Sequence, residues 1–96
     1  MKVVINVNFG GFSLPQEVAD KLGCGIYGGR IDENGDYTEI ERTDPNLIKA
    51  LEEYPSPIFP LCIVEIPENA TDWRIDEYDG AENIIAVING KIVDFA

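Results

Sequence analysis

Between positions 73 and 95 the chain carries two dipeptides, Asp79-Gly80 and Asn89-Gly90, that leave it few ways to fold. They separate three runs rich in β-branched and aromatic residues, at 72–78, 84–88 and 92–95. Two-residue hairpin turns that match strand twist need positive φ at both central positions, which Asp-Gly and Asn-Gly supply at low cost. The spacing predicts a three-stranded antiparallel meander. In its first strand Trp73, Ile75 and Glu77 share one face, and Arg74, Asp76 and Tyr78 the other. Residues 84–88 read as a core strand, and the residues expected to matter most for folding are Trp73, Ile75, Ile85, Val87, Ile63 and Leu51.

The N-terminal part supplies what covers this meander. Val3, Ile5, Val7 and Phe9 alternate with Val4, Asn6 and Asn8, the period of a half-buried strand. After Gly10-Gly11, Ser13 and Gln16 have the spacing of a capping box, Leu14, Val18 and Leu22 form a helical stripe, and Gly23 suits a C′ position. Residues 25–41 predict an acidic hairpin that turns at Asp32-Glu33-Asn34-Gly35-Asp36. Asp44-Pro45 marks a second helix start, with Leu47, Ile48, Leu51 and Tyr54 as its apolar stripe. Residues 55–60, with three prolines, predict an extended crossing segment. Residues 61–66 read as a strand buried on both faces. The sum is one α+β domain over 1–96, a mostly antiparallel sheet of about five strands packed with two short helices.

Charge bounds the partners. Eighteen Asp and Glu against seven Lys and Arg give a net charge of −11. A field of that sign repels phosphate backbones and anionic membranes, so no direct nucleic-acid or membrane partner is expected. What remains is solubility, a basic protein partner, or cation binding. No apolar run approaches the ~18 residues of a membrane span. The opening residues read as a strand rather than a signal peptide, so a cytoplasmic location is expected.

Catalytic and metal motifs are poorly served. The sequence has no histidine, which removes Ser-His and Cys-His arrangements. Cys24 and Cys62 belong to no CxxC pattern. The loop at 32–36 with Glu41 resembles a calcium loop, but Arg30 falls at its first ligand position. Gly10-Gly11 lacks the lysine and longer glycine pattern of a phosphate loop, and reads better as a sharp turn. No enzyme activity, cofactor or metal is expected.

Several blocks resemble a family of small uncharacterised phage and prophage proteins. They are Met1-Lys2-Val3-Val4-Ile5-Asn6 with Phe9-Gly10-Gly11-Phe12-Ser13-Leu14, then Glu41-Arg42-Thr43-Asp44-Pro45-Asn46-Leu47-Ile48 with Leu51-Glu52-Glu53. Val64-Glu65-Ile66-Pro67 and Trp73-Arg74-Ile75-Asp76-Glu77-Tyr78-Asp79-Gly80 complete the match. The resemblance implies a setting, a phage or its bacterial host, and no mechanism.

The candidate partner-binding face is the acidic series Asp72, Asp76, Glu77, Tyr78, Asp79 and Glu82. The leading expectation is an accessory protein acting by protein–protein contact without a cofactor. One alternative is a DNA mimic whose carboxylates occupy the basic groove of a host nucleic-acid-binding or defence enzyme. Another is a virion component or homo-oligomer built through an exposed strand.

Overall fold

The computed structural model describes residues 1–54 and 60–95. Within them the order is β1 (Lys2–Asn6), α1 (Gln16–Leu22), β2 (Gly29–Ile31), β3 (Tyr37–Glu39), α2 (Pro45–Glu52), β4 (Leu61–Glu65), β5 (Ala70–Tyr78), β6 (Ala81–Ile88) and β7 (Lys91–Phe95). The fold is α+β and every strand pairing is antiparallel. In place of one sheet of about five strands, the seven strands form three small sheets: β1-β4, β2-β3 and β5-β6-β7.

The β1-β4 ribbon is the middle layer. Its register sets Val3 opposite Val64, Val4 opposite Ile63, and Ile5 opposite Cys62. Val4, with Leu61 and Ile63, meets the helices through Leu14, Val18, Leu47 and Ile48. Val3 and Ile5, with Val64, meet Ile84 and Ala86 of the meander. Residues 3–6 are therefore all buried, and β1 is covered on both faces rather than one. Val7 and Phe9, expected in the core, are exposed. The alternation is genuine, but two layers bury both of its phases.

Local signals set the elements. Both meander turns have positive φ at the Asp-Gly and Asn-Gly pairs. The Asp44 carboxylate accepts the Asn46 and Leu47 amides at 2.8 and 3.3 Å, capping α2 ahead of Pro45. Gly23 ends α1 in the left-handed region. The capping box is not made: Pro15 occupies the cap position of α1 with no side-chain bond, and Ser13 is exposed. The Leu14 amide is bound instead to the Ile26 carbonyl at 2.6 Å, which keeps the residues before Pro15 out of the helix. The hairpin at 29–39 forms as expected, with Asp32 Oδ1 accepting the Asn34 and Asp36 amides at 2.9 Å. The crossing segment expected at 55–60 lies, apart from Pro60, outside the described residues.

The core of β6 is shifted by one position. Ile84 and Ala86 are fully buried, while Ile85 and Val87 point the other way and are half-buried. A run apolar on both faces does not say which phase is inside. Trp73, Ile75, Ile63 and Leu51 pack at the margins of the two cores. Truncating Leu47 or Ile84 to Ala is expected to cost about 2–5 kcal/mol in urea unfolding, and Ile85→Ala less than half as much. Equal costs for Ile84 and Ile85 would reverse the assignment of the inner face.

Two contacts fasten α2 to its neighbours. Lys2 Nζ donates to Glu52 Oε2 at 2.7 Å, and the Tyr54 hydroxyl donates to Glu17 Oε2 at 2.6 Å. The Glu52 hydrogen bond raises the Lys2 ammonium above its ordinary pKa, and the Glu17 hydrogen bond raises the Tyr54 phenol. A raised folded-state pKa gives stability that is complete below the ordinary value and lost as pH rises through the raised one. Both contacts face solvent, so the effect is small. Unfolding free energy is expected to fall above about pH 10, and Lys2→Met with Tyr54→Phe to reduce that fall.

Candidate functional site

Antiparallel register fixes which side chains share the outer face of the meander. Asp72 sits opposite Val87, Arg74 opposite Ile85, Asp76 opposite Asn83, and Tyr78 opposite Ala81. On the other side of β6, Val87 faces Ile92 and Ile85 faces Asp94. Because directly paired residues point the same way, these positions form one surface, turned away from the core that Ile84 and Ala86 build. Ile85 and Val87, half-buried, and Ile92, 76% exposed, form an apolar patch toward the Asn89-Gly90 end, while Tyr78, 79% exposed, stands at the opposite end beyond Asp76 and Asn83. Asp72, Asp76 and Asp94 border the patch, with Arg74 between the first two. Asn83 donates to Asp94 Oδ1 at 2.9 Å, which orients that carboxylate.

Of the six residues singled out in the sequence, Asp72, Asp76 and Tyr78 lie together on this face. Glu77 and Asp79 are exposed but shape the turn. The Gly80 amide donates to Glu77 Oε1 at 2.5 Å, and the Asp79 carbonyl accepts the Gly10 amide at 3.4 Å. Gly80 packs against the Gly10-Gly11 backbone so closely that a Cβ there would lie 2.7 Å from Gly10 N. Gly10-Gly11 thus receive the hairpin turn, and α1 begins only at Gln16.

Glu82 is a correction. Its side chain is 9% exposed and forms a bidentate pair with Arg42, at 2.6 and 2.9 Å. It also accepts the Asn6 amide at 2.8 Å. The Arg42 guanidinium stacks 3.8 Å from the centre of the Phe12 ring. Asn6, 1% exposed, donates through Nδ2 to the carbonyls of Asn8 and Gly80 at 2.7 and 2.8 Å. Glu82 therefore belongs to a buried polar clasp beneath the turn, not to an outer acidic face.

Sequence reasoning missed Ile92, Asp94, Ile85 and Val87 as surface partners of Asp72, Asp76 and Tyr78. The signal available was the two-residue turn at Asn89-Gly90, which fixes the register of β7 once the inner phase of β6 is known. It also missed Phe9, 64% exposed, next in the chain to the Gly10 that binds Asp79. Among the described residues no three His, Cys, Asp or Glu are grouped to hold a metal ion. Cys24 and Cys62 are free and pack against different cores. No described helix is long and apolar enough to cross a membrane.

Comparison with known proteins adds no relative: no family model, curated protein or solved structure matches this chain.

The two groups of carboxylates should respond differently to substitution. Glu82→Ala leaves Arg42 without its partner in a half-buried site and is expected to cost about 2–4 kcal/mol. Asp76→Asn is expected to stay within about 0.5 kcal/mol. Urea unfolding of both variants checks this, and similar small effects would mean that the clasp contributes nothing. Gly80→Ala combines positive φ with a backbone collision and is expected to destabilise by more than about 1 kcal/mol.

Proposed function

We propose that this chain is a small accessory protein of phage or prophage type that acts by binding another protein, without catalysis and without a cofactor. The observation that carries this reading is the outer face of β5-β6-β7, with an apolar patch of Ile85, Val87 and Ile92, the carboxylates Asp72, Asp76 and Asp94 beside it, and the exposed Tyr78 at the far end. An exposed apolar patch bordered by charged residues, with a tyrosine on the same face, is the anatomy of a protein interface. Acidic borders on a −11 molecule fit a partner whose own apolar patch is ringed by Lys and Arg. The same charge opposes a second copy on this face. A cytoplasmic setting in a bacterial host goes with the phage resemblance of the sequence blocks.

The duplex-mimic reading is weaker on this geometry. Arg74 stands between Asp72 and Asp76, and the apolar patch has no counterpart in a row of phosphates. The test is capture from a bacterial host lysate on the immobilised chain, comparing the wild type with Tyr78→Ala/Ile92→Asp and with Asp72→Asn/Asp76→Asn. A captured protein is expected to be lost with the first pair and weakened, with less salt dependence, by the second. Glu33→Gln/Asp36→Asn, which removes equal charge from the hairpin, is expected to change nothing. Retention on the Tyr78/Ile92 variant would overturn the proposal, and competition by duplex DNA would favour the mimic instead.

A further inference from the structure

The helical side of the molecule carries a feature that solubility does not require. Only seven residues are basic, and three of them, Lys21 after α1's last buried turn, Arg30 on β2 and Lys49 on α2, line one cavity of about 300 Å³. The remaining four are placed elsewhere: Lys2 binds Glu52, Arg42 binds Glu82, and Arg74 and Lys91 lie on the meander. Among the described residues neither Arg30 nor Lys49 has a carboxylate within 4.0 Å, and Lys21 reaches Glu53 only at 3.9 Å. Two acids share the wall, Asp44 and Glu53, and Asp44 is already committed to capping α2. The lining thus holds one more basic than acidic residue, although an adjoining cavity that shares Lys21 and Glu53 adds Glu17 and Asp20.

We propose that this cleft binds a small organic phosphate, a phosphate monoester. Basic residues from three different elements line it, which suits a group with three terminal oxygens better than a carboxylate with two. Arg30 offers the planar fork that matches two of those oxygens, and the lysines add point charges. The Asn46 side chain, which makes no hydrogen bond to another described residue, lies on the same wall and supplies a donor or acceptor to the organic part. Ile40 and Ala50 give that part an apolar floor. The volume lies at the lower end of small-molecule sites, roughly 300–1,000 Å³. This site is on the helical side of the β1-β4 ribbon and does not depend on the protein-binding face.

Amide NMR spectra of the full chain, titrated with inorganic phosphate and with a nucleoside 5′-monophosphate, test the proposal against sodium chloride at matched ionic strength. Saturable shifts are expected at the Arg30, Asn46 and Lys49 amides, with the monoester binding more tightly than phosphate. Arg30→Gln with Lys49→Gln is expected to weaken binding about tenfold or more. Arg30→Lys restores part of the loss. Arg74→Gln with Lys91→Gln, an equal charge change on the meander, leaves affinity unchanged. Should the double variant unfold, the same spectra reveal it, and Arg30→Gln alone on exposed β2 decides. Shifts that chloride reproduces, binding that survives loss of Arg30 and Lys49, or equal affinity for phosphate and monoester would overturn the proposal.

Discussion

A strand buried on both faces must still satisfy both of its edges, and here β1 has a sheet partner on only one. Antiparallel alternation turns the Val3 and Ile5 amides toward β4, and Val7 continues the series by donating to the Pro60 carbonyl at 2.9 Å. The Val4 and Asn6 amides point the other way. Val4 donates to the Arg42 carbonyl at 2.9 Å and Asn6 to the Glu82 carboxylate at 2.8 Å. Arg42 then closes on Glu82. One ion pair thus takes the place of a missing strand, and an unpaired backbone amide at this depth would cost about 1–3 kcal/mol. The loop before α2, the first residues of β6 and the middle ribbon are held in register by the same four groups.

This clasp also explains why the outer face of the meander can be free. The hairpin turn is fixed from beneath, by Asn6 reaching the Gly80 carbonyl and by the Gly10-Gly11 backbone against Gly80. Among the described residues, the outer side of β5-β6-β7 belongs to neither core cluster. Basic residues gather instead on the far side of the ribbon, around Lys21, Arg30 and Lys49.

What the sequence made legible was local chemistry. Asn89-Gly90, Asp44-Pro45 and Gly23 specify turns and helix ends through their own φ preferences and hydrogen bonds, and each appears where it was expected. What it hid depends on residues far apart in the chain. Glu82 looks like one more surface carboxylate until Arg42, forty residues away, is brought to it. Residues 84–88 are apolar on both phases, so nothing local separates Ile84 from Ile85. Val7 and Phe9 continue the alternation of β1 beyond the point where the covering layers stop. The basic cleft draws one residue each from α1, β2 and α2, and no spacing announces it.

The double burial of β1 has a kinetic consequence. The meander and the β2-β3 hairpin pair neighbours in the chain, and such contacts close quickly. β1 is the earliest element in sequence, yet Lys2 pairs with Glu65 and Asn6 leans on Glu82. Its sheet partner β4 and its meander-side cover, Ile84 and Ala86, come from the second half of the chain, whereas Leu14, Val18 and the Arg42 carbonyl come from the first. β1 is thus fully satisfied only once β4 and the meander have formed, and until then Val3 and Ile5 are without their cover.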